Sequence, residues 1–263
     1  MTYIITGASD GIGAAAAREL HRRAKDLVIV GRNQDKTRAV AEEVGARWHA
    51  CNFESLGNVY RLADELSDLP HIEGLANNAG GIYDGPLRTA DGYERTWQIN
   101  VVAPFLLTSL LRDKLQDANV VQTASVANFL FSQFDPADPN TFERFTQERA
   151  YGNAKLGAIL MTRFFHAHGL RAVSFHPGML ATNFANSSNG LFNKLYSSSV
   201  KRFLGSAEEG GANLAYFLTT QNFTPGEYYN NKRRPGLQRP LAKNMSVAHR
   251  VFDELARELN VEW

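Results

Sequence analysis

The sequence predicts an α/β fold, a single-domain doubly wound parallel sheet of about seven strands with helices on both faces. Three observations carry that expectation. Short apolar runs alternate with longer stretches of helical periodicity, the pattern of strands joined by crossover helices. A glycine-rich turn, Thr6-Gly-Ala-Ser-Asp-Gly-Ile-Gly13, stands between the first apolar run and the first helical stretch. The chain of 263 residues is near the size at which one hydrophobic core stops growing, and no linker, repeat or low-complexity tract divides residues 1–263.

In chain order, Tyr3–Thr6 reads as the first strand and feeds the glycine turn. A helix over Gly13–Arg23 opens on Ala14-Ala-Ala-Ala17, side chains small enough for close packing on the sheet. Leu27–Val30 and Arg47–Cys51 are the next strands, with a helix over Gln34–Val44 between them. A helix over Leu56–Ser67 leads to the strand Gly74–Asn77. One long helix is expected from Gly92 to Leu115. Val120–Thr123 is the fifth strand. Beyond it, Phe129 to Thr146 carries Asp135-Pro-Ala-Asp-Pro139, and prolines so close together argue for an irregular loop. A helix over Gln147–His166 and a strand over Arg171–Phe175 follow. Ala207–Leu218 reads as helix and Glu227–Tyr229 as the last strand. The closing helix, Met245–Leu259, places Val247, Val251, Leu255 and Leu259 in one stripe at i+4 spacing. Between Asn183 and Phe203 a polar segment carries Phe184, Leu191, Phe192, Leu195, Tyr196 and Phe203. Its place after Pro177-Gly178 favours a substrate lid at about 183–205 over a surface helix packed on the core.

The formal net charge of +1 gives no reason to expect nucleic acid or an anionic membrane as partner. The basic run Lys232-Arg-Arg234 reads as a solvated loop. A single cysteine, Cys51, excludes an internal disulfide, fits a reducing compartment and falls at a strand end, where a buried inert thiol is expected. No Cys/His cluster has zinc-site spacing, and His166 and His168 fall on a helix end rather than in a ligand set, so no metal is expected. Met1 to Thr6 already belong to the first strand, with no signal segment ahead of it. The longest apolar run, Val101 to Leu107, contains Pro104 and is too short to span a bilayer. A cytoplasmic protein without a membrane partner is the expectation.

Two motifs carry chemistry. Tyr151 and Lys155, four positions apart, share one face of a helix. A nearby ammonium favours the phenolate, lowering a phenol pKa that is ordinarily about 10 and making a proton donor and acceptor useful near neutral pH. The upstream glycines open a helix directly after a strand, where bare backbone N–H groups can hold a pyrophosphate. A phosphate cradle and a tuned phenol together point to hydride transfer between a nicotinamide cofactor and a carbonyl or alcohol. Each motif alone is weak, since exposed Tyr/Lys pairs are usually solvated and glycine turns occur at many strand–helix junctions. Their order is what is specific, with Asn77-Asn-Ala-Gly80, Asn100 and Ser125 between them.

This ordered set resembles the short-chain dehydrogenase/reductase family over nearly the whole chain. Asp91-Gly-Tyr-Glu94, Trp97-Gln-Ile-Asn100, Pro104-Phe-Leu-Leu-Thr108, Ala150-Tyr-Gly-Asn-Ala-Lys-Leu156 and Val173-Ser-Phe-His-Pro-Gly178 are similar to its retinol-dehydrogenase-like carbonyl reductases. The resemblance implies a Rossmann fold and a catalytic set of Asn100, Ser125, Tyr151 and Lys155. Tyr151 would be general acid in carbonyl reduction and base in alcohol oxidation. Lys155 would lower its pKa and bind the nicotinamide ribose hydroxyls. Ser125, ending the fifth strand, would hydrogen-bond the substrate oxygen. Asn100, unfavourable in a helix by propensity, would hold a water that relays protons to the lysine.

The cofactor contacts expected from the turn are Gly7, Ser9, Asp10, Gly11 and Ile12, with Gly13 letting the helix pack on the strand. At the end of the second strand, an acid would bind a ribose 2′-OH and an arginine a 2′-phosphate. Gly31 leaves space for a phosphate, and Arg32 supplies a planar, permanently charged fork that suits it. NADP(H) is therefore the expected cofactor, although Asp10 stands where many NADP-dependent relatives carry a basic or neutral residue. Asn52 takes a position that is often Asp in the family, where it would accept from the adenine amino group, with Phe53 beside it. The resemblance gives Asn78, Ala79 and Gly80 backbone contacts along the adenosine ribose, sets Pro177 and Gly178 against the nicotinamide, and has Thr182 bond its carboxamide or a phosphate. The expected protein is an NADP(H)-dependent carbonyl reductase acting on an apolar or bulky small molecule. The alternatives are an NAD-dependent secondary-alcohol dehydrogenase and a dinucleotide sensor without turnover, which would be expected to lose the Tyr/Lys pair. Relatives often pair through the helices carrying Asn100 and Tyr151, so a homodimer or homotetramer is one outcome, and coverage of those faces within one chain is the other.

Overall fold

The computed structural model describes residues 2–178 and 206–263; Thr182 and the expected lid at 183–205 lie outside the described residues. Its strands are β1 (Thr2–Thr6), β2 (Asp26–Gly31), β3 (Arg47–Ala50), β4 (Ile72–Asn77), β5 (Asn119–Thr123), β6 (Arg171–Phe175) and β7 (Tyr228–Tyr229). They form one seven-stranded sheet in the order β3-β2-β1-β4-β5-β6-β7, and every pairing is parallel. The chain therefore winds outward from β1 in one direction and from β4 in the other. That reversal opens a crevice at the carboxyl ends of β1 and β4, the position where open α/β sheets bind ligands.

Alternation along the strands sends side chains to two cores. Ile4, Val28, Val30, Leu75, Val120 and Ala172 face one layer, while Tyr3, Ile5, Leu27, Ile29, Ala76, Val121, Val173 and Phe175 face the other. The second layer is built by α1 (Gly11–Arg22), α2 (Gln34–Glu43) and α8 (Ala207–Thr219). Ala14, Ala16 and Ala17 lie in this core, and Ala15 meets α8 so closely that a Cβ on Gly211 would lie 2.7 Å from the backbone nitrogen of Ala16. The alanine run thus serves helix–helix packing as well as the sheet.

The first layer holds α3 (Leu56–Glu65), α5 (Ala103–Leu110), α7 (Gln147–Ala167) and α9 (Met245–Glu258). Phe105 of α5 stacks on Phe252 of α9 at 5.2 Å and on Phe165 of α7 at 5.8 Å. Trp263 stacks on Phe165 at 4.9 Å and donates its indole N–H to Ser109. Phe105, Phe164 and Phe165 are fully buried. Residues Ala150–Phe165 of α7 are buried within the chain, while Leu110 at the end of α5 is exposed.

The long helix expected from Gly92 to Leu115 is interrupted. A short turn, α4 (Arg95–Trp97), passes into a π-helical segment, Gln98–Val102, before α5, and a 3-10 turn at Arg112–Lys114 ends the stretch. The cause is readable at Pro104, which has no N–H to give the carbonyl four residues back, that of Asn100. The loop after β5 starts later than expected, because α6 (Ala127–Leu130) takes its first residues. Its irregular part is pinned by Asn153 of α7, which accepts from the Gln133 N–H and donates to Thr141. No helix among the described residues is long and apolar enough to cross a membrane.

Candidate active site

The glycine turn enters the crevice directly from β1. Gly7 and Gly11 have φ of +65° and +54°, in the left-handed region that glycine adopts without steric penalty. A Cβ on Gly7 would lie 2.7 Å from the Cα of Ala79, so β1 and the segment after β4 can approach this closely only without a side chain there. The contact is locked by Thr6, whose hydroxyl donates to the Ala76 carbonyl and accepts from the Asn78 and Ala79 N–H groups. Asn78 donates to the carbonyls of Thr6 and Gly7 and accepts from Thr123 on β5. Its side chain thus joins three neighbouring strands.

The catalytic candidates of the π segment and α7 converge behind this turn. The Lys155 ammonium donates to the Thr123 carbonyl at 2.9 Å and lies 5.4 Å from the centroid of the Tyr151 ring. A Cβ on Gly80 would collide with Asn100 Oδ1 and come within 3.4 Å of Lys155 Nζ, which places both side chains beside the Asn77-Asn-Ala-Gly80 segment. Asn100 donates to the carbonyls of Gly81 and Thr96 and accepts from the Gly81 N–H. Its side chain is thereby fully committed to holding the π segment in place, and its backbone carbonyl faces no N–H at Pro104. Glu94, buried completely, accepts from the N–H groups of Thr96 and Trp97 and so starts the turn that leads into this segment. Tyr151 packs with Ile82 and Ala127, with Phe131 against them; the phenol therefore has an apolar wall.

Burial alone lowers the Lys155 pKa to about 7. Desolvation disfavours the ammonium, and an anionic neighbour would restore it. Desolvation lowers half-buried His176 to about 4, which leaves it neutral at physiological pH. Burial raises the Cys51 thiol to about 12, and its role as an inert core residue agrees with that.

Ser125 lies in the turn after β5, half-buried, its Oγ accepting from the Ala127 N–H at 3.2 Å. The turn is held by Asn128, a residue that sequence reading does not single out. Asn128 donates to the carbonyls of Ser125 at 2.7 Å and Leu237 at 3.3 Å and accepts from the Arg239 N–H. It is fully buried and ties the Ser125 turn to a segment more than a hundred residues on. Its signal could not be local, because its partners are remote in sequence. Asn128→Ala should lower turnover about tenfold, the scale of one or two buried hydrogen bonds, with the dinucleotide dissociation constant unchanged. Equal losses in both parameters would show that Asn128 supports the fold rather than Ser125.

At the outer rim the candidates divide. Arg32 is exposed and has no hydrogen-bond or ion-pair partner among the described residues. The expectation that Gly31 leaves room for a phosphate is corrected: a Cβ there would collide with the Thr37 hydroxyl and lie 2.9 Å from Ser9 Cβ. Gly31 is a packing glycine, and the same crowding leaves no place for an acid. Asp10 is the N-cap of α1, accepting from the Gly11 N–H at 2.7 Å, and pairs with Lys36 at 3.7 Å. Ile12 packs against the second core. Asn52 turns its amide oxygen onto the Glu54 N–H, which leaves one lone pair for an adenine amino group. The Phe53 ring is core, and its carbonyl accepts from the buried Gln98 side chain. Pro177 and Gly178, the latter at φ +107°, follow β6 at the carboxyl edge of the sheet.

A parallel sheet with this strand order, a glycine turn at its switch point and a buried Tyr/Lys pair beside it define a dinucleotide-binding oxidoreductase. The short chain dehydrogenase model matches residues 1–190, and the chain belongs to the short-chain dehydrogenase/reductase family, in its retinol-dehydrogenase-like branch. A protein of Streptomyces sp. (strain C5) named as a daunorubicin C-13 ketoreductase is 34% identical over 254 residues, covering 92% of this chain and 86% of the relative. Retinol dehydrogenase 12 of Homo sapiens is 29% identical over 281 residues, covering 99% and 86%. Among solved structures, an uncharacterized protein from Mycobacterium paratuberculosis superposes with a TM-score of 0.79 at 25% identity, covering 99% of this chain and 94% of that one. Family membership carries a nicotinamide dinucleotide as cofactor. Gly7 and Gly13, whose Cβ positions are filled by neighbouring backbone, pack the turn tightly before α1, whose N-terminal N–H groups fit the diphosphate.

Proposed function

We propose that this chain is an NADP(H)-dependent reductase of aldehydes or ketones acting on an apolar or bulky substrate. The observation that carries the reaction is Lys155, buried beside Tyr151 and anchored on the Thr123 carbonyl. When bound, the nicotinamide supplies the hydride. Tyr151 gives its phenolic proton to the carbonyl oxygen, and the Lys155 ammonium stabilises the phenolate that results. Ser125 hydrogen-bonds the same oxygen as charge develops on it. Asn100 holds the π segment so that its carbonyl can order a water for returning the proton. The apolar wall of Ile82, Ala127 and Phe131 suits a hydrophobic substrate, and the Streptomyces relative named for a ketoreductase supports the carbonyl class. Purified protein screened against aldehydes and ketones should consume NADPH, and the absence of turnover across apolar carbonyls would overturn the reading.

Cofactor choice rests on Arg32, a free guanidinium at the end of β2 where Gly31 admits no acid. Oxidation of an alcohol with NAD is the second reading, favoured by Asp10, whose carboxylate repels a 2′-phosphate; Lys36 offsets that charge. NADPH should bind more tightly than NADH, and Arg32→Ala should erase most of the difference. Losing a charge-assisted phosphate contact costs about 1.5–3 kcal/mol, roughly tenfold or more in affinity. Equal dissociation constants for both cofactors in the unmutated protein would overturn the NADP(H) preference.

A further inference from the structure

Away from the crevice, the end of α7 and the first turns of α9 bring His168, His249 and Asp253 together. One nitrogen of each imidazole and one carboxylate oxygen of Asp253 all lie within 4.8 Å of one another. The geometry points to a divalent transition-metal site of the zinc type, with these three residues as ligands and water completing the shell. No zinc-type spacing announces it in the sequence. His168 does cap a helix end, as the sequence reading has it, but the fold carries a second histidine and an acid to that end.

Three features support the assignment. His168 Nδ1 lies 2.8 Å from the Phe164 carbonyl, an oxygen that can only accept. Nδ1 therefore carries the hydrogen and Nε2 keeps its lone pair, the arrangement by which metal-binding imidazoles are oriented. His249 Nδ1 and Asp253 Oδ2 are 3.6 Å apart. That exceeds a good hydrogen bond of about 2.7–3.2 Å and is close to the edge, about 3.4 Å, of a tetrahedron with bonds of about 2.0–2.2 Å. Two imidazoles and a carboxylate are also the ligand types that zinc takes, with a fourth position left to water. The ring of Phe164 lies 4.1 Å from that of His168 and 5.7 Å from that of His249, and Trp263 lies 5.8 Å from His168, so both imidazoles rest on aromatic surface. The side chains of His249 and Asp253 are 42% and 52% exposed, which leaves an entry path. A bound ion would join α9 to the end of the helix that carries Tyr151 and Lys155.

The test uses the whole chain, stripped with EDTA, dialysed and titrated with ZnCl2 by calorimetry. One ion per chain should bind saturably, and the thermal midpoint should rise with zinc concentration. His249→Gln and Asp253→Asn, both on the exposed side of α9, should each weaken binding about tenfold or more, with circular dichroism unchanged. MgCl2 should not substitute, since it demands oxygen ligands. A simple His249–Asp253 ion pair would give no saturable zinc binding, and that result overturns the site. Binding that persists at full strength in His249→Gln would place the ion elsewhere on the chain and overturn it equally.

Discussion

Tyr151→Phe should lower carbonyl-reducing turnover by about 10²–10⁴-fold, the usual contribution of positioned acid–base catalysis. The substitution removes one hydroxyl and keeps the ring, which packs against Ile82 and Ala127, so the fold and the dinucleotide affinity should be nearly unchanged. Turnover measured under saturating NADPH, with affinity from fluorescence titration, separates the two quantities. Ser125→Ala should act in the same direction and also spare cofactor binding, since its Oγ is bonded within its own turn. Near-normal reduction by Tyr151→Phe of any carbonyl the protein accepts would remove the phenol from the mechanism.

The parts of this site legible in the sequence are those whose cause is local. The glycine turn can be read because left-handed φ values and a close backbone approach restrict a few adjacent positions. The Tyr151/Lys155 pair can be read because i and i+4 share a helix face. The break in the helix around Asn100 was also written locally, in Pro104, but an uninterrupted apolar run concealed it. Asn128 and Thr123 are different. The first acts through Leu237 and Arg239, and the second through a backbone carbonyl that any residue could supply. Gly31 stands at its position for a reason that the local sequence does not give. Its missing side chain makes room for Thr37 and Ser9 rather than for a phosphate, and the absence of an acid follows from that crowding. The last strand, read as Glu227–Tyr229, shrinks to Tyr228–Tyr229, where edge position and a single partner strand decide the boundary rather than composition.

Lys155 should gain a proton when the dinucleotide binds at pH 8. In the free protein its pKa, lowered by burial, is about 7, so most molecules hold a neutral amine at that pH. Ribose hydroxyls that accept from Nζ, and phosphates in the same crevice, favour the charged form and raise the pKa above 8. The sign follows: uptake is greatest between the two pKa values, near pH 8, vanishes below about pH 6, where the ammonium is already present before binding, and vanishes again well above the raised pKa. Calorimetry in buffers of different ionisation enthalpy reads this directly, without turnover. Lys155→Met should abolish the uptake, weaken dinucleotide binding about tenfold to a hundredfold through loss of charged hydrogen bonds, and depress turnover as well. That double loss, set against the single loss in Tyr151→Phe, is what separates a lysine serving both phenol and ribose from one that merely fills the interior. Proton uptake that survives in Lys155→Met would assign the titration to another group, and unchanged dinucleotide affinity in that variant would leave Lys155 with no part in binding the cofactor.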